Sequence, residues 1–300
     1  MAEAVARCFA ETLKAYGEMK TVNTDIHINL DSAWSSVDLP MPSYDFREWG
    51  PQLRYCAPSV VVEAFYRTVE PELADYVLLG SGDFHFLSSL WLRRVRQTVT
   101  LVCFDNHPDW DIRPPRWSCG GWINRALELP HVRCVSVWGC GNFELAFPSR
   151  LFANTPAIKS GKLEVHGWAE RQKPRTQKQF NCMNRNNWRE RFERFSNSLA
   201  GQTIYVSIDL DCLCEGEAVT NWENGLFTLD DLTWALSELR RAAQVVGGDL
   251  CGAYSPPVYA RWTQRFAGNW DHPKLRPVDG TDAQRINRVA LDRLWPVLTG

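Results

Sequence analysis

Residues 98–109 read Thr98-Val-Thr-Leu-Val-Cys-Phe104 and then Asp105-Asn-His-Pro-Asp109. The first seven carry no charge and are rich in β-branched and apolar side chains, the pattern of a strand buried on both faces. The next five switch abruptly to ionisable groups at every second position. A doubly buried strand belongs to a parallel sheet, and such sheets bind ligands beyond the carboxyl ends of their strands. Two other segments repeat the arrangement. Tyr76 to Gly80 is a short apolar strand leading into Gly82-Asp-Phe-His85, and Thr203 to Ile208 leads into Asp209-Leu-Asp211.

Away from these three segments, strands continue to alternate with helical patterns, which predicts parallel strands joined by helices. Thr24 to Leu30, Val132 to Trp138 and Val245 to Tyr254 read as further strands. Ser59 to Val69, Phe86 to Arg96 and Trp188 to Leu199 read as helices. Thr228-Leu-Asp-Asp231 resembles a capping box ahead of Leu229, Leu232, Leu236 and Leu239, and Thr281-Asp-Ala-Gln284 is read as the cap of a last helix. No repeat or low-complexity linker divides the chain, so residues 1–300 are expected to form one domain.

Composition narrows the function. A formal net charge of −2 and a pI near 6.3 leave no electrostatic footprint for nucleic acid or an anionic membrane. The basic stretch from Arg171 to Lys178 reads as a solvated loop. No apolar run approaches the ~20 residues of a membrane span, and the first residues lack the apolar core of a signal peptide. Ten cysteines without an export signal point to reduced thiols and a cytoplasmic protein, and none shows zinc-knuckle spacing.

The chemistry sits in the three polar clusters. In an extended backbone alternate side chains share a side, which would bring Asp105, His107 and Asp109 to one point, and Asp209 and Asp211 likewise. Four packed carboxylates raise one another's pKa. Two divalent cations would relieve that repulsion, and histidine with carboxylate suits Mn²⁺, Fe²⁺, Co²⁺ or Zn²⁺. His27, His131, His166 and His272 have no acidic partner at comparable spacing and are read as structural.

Gly82-Asp83-Phe84-His85, Asp105-Asn106-His107-Pro108-Asp109 and Ser207-Ile208-Asp209-Leu210-Asp211 together resemble the signatures of the arginase/agmatinase (ureohydrolase) family. That resemblance implies a three-layer α/β/α fold with a mostly parallel sheet of about eight strands. It also implies six metal ligands, His85, Asp105, His107, Asp109, Asp209 and Asp211, around two divalent ions expected to be Mn²⁺. The implied reaction is hydrolysis of a guanidino or amide C–N bond by a metal-bridging hydroxide, with Asp109 holding and relaying its proton. Asp83 either orients His85 from behind or caps the helix beginning near Phe86.

The sequence departs from the family in its substrate positions. Phe84 is inserted before the histidine, and Asn106 replaces a small residue. Ser118-Cys-Gly-Gly-Trp122 stands where the family has a histidine, and Trp110 to Pro115 replaces the loop that grips an amino-acid carboxylate. The family's guanidinium carboxylate falls on Ala253, in Ala253-Tyr254-Ser255-Pro256. A small molecule other than L-arginine is therefore the expected substrate. Trp110 and Trp122 either line a pocket or cover the sheet edge. Glu144 falls where the family places an acidic residue near the substrate amine, and Tyr254 loosely matches an oxyanion tyrosine of related deacetylases. A deacetylase acting on an acylated amine and a non-catalytic ligand-binding protein are the alternatives. The resemblance also allows a homo-oligomer.

Overall fold

The structure is a computed structural model that describes residues 24–35, 38–274 and 279–300, so the expectation about the first residues lies outside it. Among the described residues ten strands form, in chain order: β1 (Asp25–Asn29), β2 (Ser43–Asp45), β3 (Cys56–Ala57), β4 (Tyr76–Leu78), β5 (Val99–Phe104), β6 (Trp117–Ser118), β7 (Val132–Cys140), β8 (Leu163–Gly167), β9 (Thr203–Asp209) and β10 (Gln244–Cys251). Eight of them make one sheet in the order β2-β1-β4-β10-β9-β5-β7-β8. Every neighbouring pair is parallel. β3 and β6 form a separate antiparallel pair.

The uncharged runs in the sequence become the centre of this sheet because both their faces are covered. On β5, Leu101 and Cys103 enter one apolar layer with the helices 59–69, 88–92 and 122–127. Val102 and Phe104 enter the other, with the helices 188–198, 229–242 and 280–299. Helices thus cover both faces, giving three layers α/β/α, and β4, β10, β9 and β5 end side by side. The three polar clusters all follow these strands.

Several local expectations change. Phe86 to Arg96 is not one helix: Gly82–Leu87 is a 3₁₀ turn capped by Ser81, followed by a short α-helix Ser88–Leu92. The capping box at Thr228 and Asp231 forms as read. The last helix instead starts at Gly280 with Asp279 as its cap, whose carboxylate accepts from the Thr281 and Asp282 amides. The basic stretch is largely helical, since Pro174 supplies a good first residue for Pro174–Phe180. β2, β3, β6 and β8 are too short or too polar to stand out in a sequence. No described helix is long and apolar enough to cross a membrane.

Candidate metal centre

His85 projects from the 3₁₀ turn after β4 into a ring of carboxylates. Its Nδ1 lies 3.2 Å from Asp105 Oδ2, 3.5 Å from Asp109 Oδ2 and 3.4 Å from Asp209 Oδ2. His107 Nδ1 lies 2.8 Å from Asp211 Oδ2 and 3.5 Å from Asp105 Oδ1. Asp105 therefore stands between the two histidines, one oxygen toward each. The six residues converge, but not through strand alternation. β5 has already ended at Phe104, and Asp109 is in the left-handed region at φ 46°, which a short polar side chain tolerates. Asp211 sits in a 3₁₀ turn, its amide held 3.0 Å from Asp209 Oδ1.

Hydrogen bonds settle which histidine nitrogen faces the carboxylates. Ser207 Oγ donates to Asp249 Oδ1 at 2.7 Å, so it must accept from His85 Nε2–H, 2.8 Å away. Nδ1 therefore faces the carboxylates, with a lone pair when the ring is neutral and a proton when it is charged. That atom and Asp105 Oδ2, 3.2 Å apart, are both buried without a hydrogen-bond partner. Two buried acceptors facing each other are unfavourable unless a cation or a proton lies between them. The donor set fits divalent metal, since a ligating histidine characteristically gives its other N–H to such a partner. A cavity of about 30 Å³ is lined by five of the six, Asp105, His107, Asp109, Asp209 and Asp211, and also by Gly82, Cys119, Gly120 and Trp222; it has room for about two ions or waters. Gly82 is required there: a Cβ would fall 2.6 Å from Asp209 Oδ2.

In the metal-free chain protons take the place of cations. Asp109 is lifted from 3.8 to about 8, by burial first and then by Asp105. Burial, followed by Asp209, pushes Asp211 well up as well. Burial opposes charge on both histidines, yet the groups around them hold their pKa values well above the ordinary value. All four shifts have one sign. Stability from Asp109 is complete below 3.8 and is lost as pH climbs through about 8, and the histidines likewise lose theirs as pH rises. Ligands that must shed protons also bind metal better at higher pH. Chelator-treated protein should therefore melt progressively lower from about pH 5 to pH 8, and saturating Mn²⁺ or Co²⁺ should restore about 5 °C or more at the upper end. A melting temperature indifferent to chelator across that range would count against metal at this site.

Above the small cavity lies a wider one of about 610 Å³, and Gly120, Glu144 and Asp271 line both. Trp110, Asp111, Arg113, Pro114, Pro115, Phe266 and Trp270 are among the residues lining the wider one. Glu144 lies at the neck, its pKa pushed up to about 7 by burial against the pull of His107. Trp122 is fully buried and packs against His85 with ring centroids 4.5 Å apart, so it backs the ligand and does not line the cavity. Tyr254 lines neither cavity. Ala253 is buried with its amide on Gly80 O, and at Gly252 (φ +99°) a Cβ would fall 2.2 Å from Asp209 Oδ1. No carboxylate reaches the site from this segment.

Asp83 does not serve His85. Its carboxylate takes Arg54 Nε at 2.7 Å on one oxygen and His272 Nε2 at 2.7 Å on the other. His272 thus has an acidic partner 189 residues away, which no local spacing could reveal. His27, His131 and His166 lie outside the cluster: the first bonds Ser43, the second Leu92 O, and the third stacks on Trp138, although, against expectation, it has an acidic partner two residues away, with Glu164 3.7 Å from its Nε2. Asn106 joins loops, donating to Glu223 O and accepting from Gly141 N. Sequence reasoning missed Ser207 and Asp249 behind His85 and Asp271; Glu223 lies beside His107 Nε2 at 3.7 Å. Only Ser207 carried a signal, the serine two residues before Asp209.

No family model matches the sequence. An uncharacterized protein of Thermotoga maritima is 28% identical over 188 residues, covering 62% of this chain and 61% of that protein, so the match spans less than two thirds of the relative. Solved structures match over nearly the whole chain. A putative agmatinase from Clostridium difficile aligns at TM-score 0.54 and 14% identity, covering 92% of this chain and 96% of the other. Arginase from Bacillus subtilis aligns at 0.50 and 12%, covering 90% and 96%. A formiminoglutamase from Trypanosoma cruzi, solved with Mn²⁺, aligns at 0.51 and 11%, covering 93% and 97%. At such identities the likeness is one of fold: the chain has the arginase fold.

Proposed function

We propose that the chain is a divergent ureohydrolase, a binuclear metal-dependent hydrolase of a guanidino or amide C–N bond in a small molecule other than L-arginine. The observation that carries this reading is the paired geometry around Asp105, which faces His85 Nδ1 with one oxygen and His107 Nδ1 with the other. His85, Asp105, Asp109 and Asp209 would hold one cation, and His107, Asp105 and Asp211 the second. When bound, two such cations, Mn²⁺ being the expectation from the fold, supply an activated water and polarise the substrate. Asp109, at the cavity wall and lifted to about 8 when metal-free, is the residue placed to accept a proton and pass it to a leaving amine.

The carboxylates at the neck, Glu144 and Asp271, favour a substrate with a cationic head, and the apolar wall above favours a bulkier body than an amino acid's. L-Arginine should be a very poor substrate. A guanidinium gains a charge-assisted, bidentate bond from a carboxylate on the strand-end segment beside the metals; Ala253 supplies none there, and Glu144 and Asp271 line the passage to the outer cavity instead. Misplacing the reactive carbon lowers turnover as well as binding. Urea release from L-arginine by the manganese-loaded protein is expected to be slower by roughly a hundredfold or more than from its own substrate. Metal analysis followed by a urea- and ammonia-release screen over guanidino and amide compounds tests the reading. Fewer than two metals per chain, with no hydrolysis of any member of the panel, would leave the non-catalytic alternative standing.

A further inference from the structure

Two buried thiols flank the His85 end of the site. Cys251 ends β10 as the lateral register partner of Asp209 on β9. Its Sγ lies 3.3 Å from Asp209 Oδ2, the same oxygen that stands 3.4 Å from His85 Nδ1. The candidate ligand atoms of His85, Asp209 and Cys251 all fall within 4.8 Å of one another. Cys103, two residues before Asp105 on β5, makes a second such group with His85 and Asp105. The His107 end differs: Asp105, His107 and Asp211 group without sulfur among the described residues.

We propose that Cys251 is a sulfur ligand to the cation at the His85 position, which makes the centre a mixed-metal one. This rests on the two-metal reading above. The His85 position then takes a sulfur-tolerant dication (Zn²⁺, Co²⁺ or Fe²⁺) ahead of Mn²⁺, because thiolate selects softer ions while carboxylate and imidazole alone do not. The His107 position keeps an oxygen-rich set suited to Mn²⁺. Cys103 is not assigned as a ligand, because it is the Cys251 thiol that hydrogen-bonds a carboxylate of the site.

The protons balance simply. In the metal-free chain the Cys251 S–H donates to Asp209 Oδ2. On metal binding the S–H bond breaks, a sulfur–metal bond forms, and the proton leaves to water.

The test is optical and independent of any substrate. Metal-free full-length protein is titrated with Co²⁺ without oxygen. A near-ultraviolet sulfur-to-cobalt charge-transfer band should grow and saturate at about one cobalt per chain. Cys251→Ser should abolish that band while still binding cobalt. Cys103→Ser should keep it, as should Cys119→Ser, whose side chain lines the same cavity. In competition, Cys251→Ser should reduce the preference for Zn²⁺ over Mn²⁺ at one position by at least about tenfold. Cobalt bound with visible ligand-field bands but no charge-transfer band, or a band that survives Cys251→Ser, overturns sulfur ligation by Cys251 and leaves the two-metal reading intact. Failure of the wild-type chain to bind cobalt overturns both.

Discussion

Asp105→Asn is expected to strip the chain of both bound metals and to lower hydrolytic turnover by at least about a thousandfold, some 4 kcal/mol of barrier. Asp105 is the residue that faces both histidines, at 3.2 Å from His85 Nδ1 and 3.5 Å from His107 Nδ1. An amide keeps the shape but loses the charge, and its NH₂ group must turn a donor toward one of the two cations. The fold should survive, because the remaining amide oxygen can still accept from the His107 backbone N–H, as Asp105 Oδ1 does at 2.6 Å. Asp111→Asn, changing a carboxylate on the wall of the outer cavity, serves as the comparison and should retain full metal content. Metal content per chain, measured beside melting temperature and rate, reads the result. Two metals and a wild-type rate in Asp105→Asn would remove the central residue from the proposed site.

Much of this was legible in the sequence because it is local. A strand buried on both faces has to be apolar, so Val99–Phe104 and Thr203–Asp209 stand out, and the switch to aspartate and histidine marks where each leaves the core. Position in the sheet then follows, since parallel strands end along one edge. What stayed hidden depends on contacts distant in sequence. Arg54 reads as one of many arginines, yet it is 1% exposed and meets Asp83, Asn221 and Ser255 across gaps of 29, 167 and 201 residues. Asp271 and His272 come from the end of a helix, 262–271, with no motif of its own. Cys251 looked like an ordinary core residue of a strand until the register placed it beside Asp209. Trp122 could be read two ways from sequence, as pocket wall or as cover for the sheet edge, and burial of its indole face against His85 decides for the second.

Arg54→Met is expected to cost about 3 to 5 kcal/mol of stability at neutral pH, lowering the melting temperature by roughly 10 °C. The guanidinium donates to Asp83 at 2.7 Å and to Ser255 Oγ at 2.8 Å, and lies 3.6 Å from Asp31. A methionine fills similar volume, so a cavity is not the main loss. The main loss is that Asp83, fully buried, keeps only His272 as a partner. An uncompensated buried carboxylate costs far more than the intact pair contributes. Its sign with pH separates this from simple misfolding. In the wild type burial works to raise the Asp83 pKa, but Arg54 and then His272 hold it below the ordinary value, so its stabilising effect is present at neutral pH and fades on acidification. Without Arg54 burial prevails, the folded-state pKa rises, and protonation relieves the penalty. The gap between variant and wild type should therefore narrow from pH 7 toward about pH 5. Because Asp83 lies in the 3₁₀ turn Gly82–Leu87 that carries His85, metal affinity should fall as well, by about tenfold. Equal destabilisation at both pH values would mean that Arg54 acts through packing alone, and unchanged metal affinity would mean that the turn holds His85 without it.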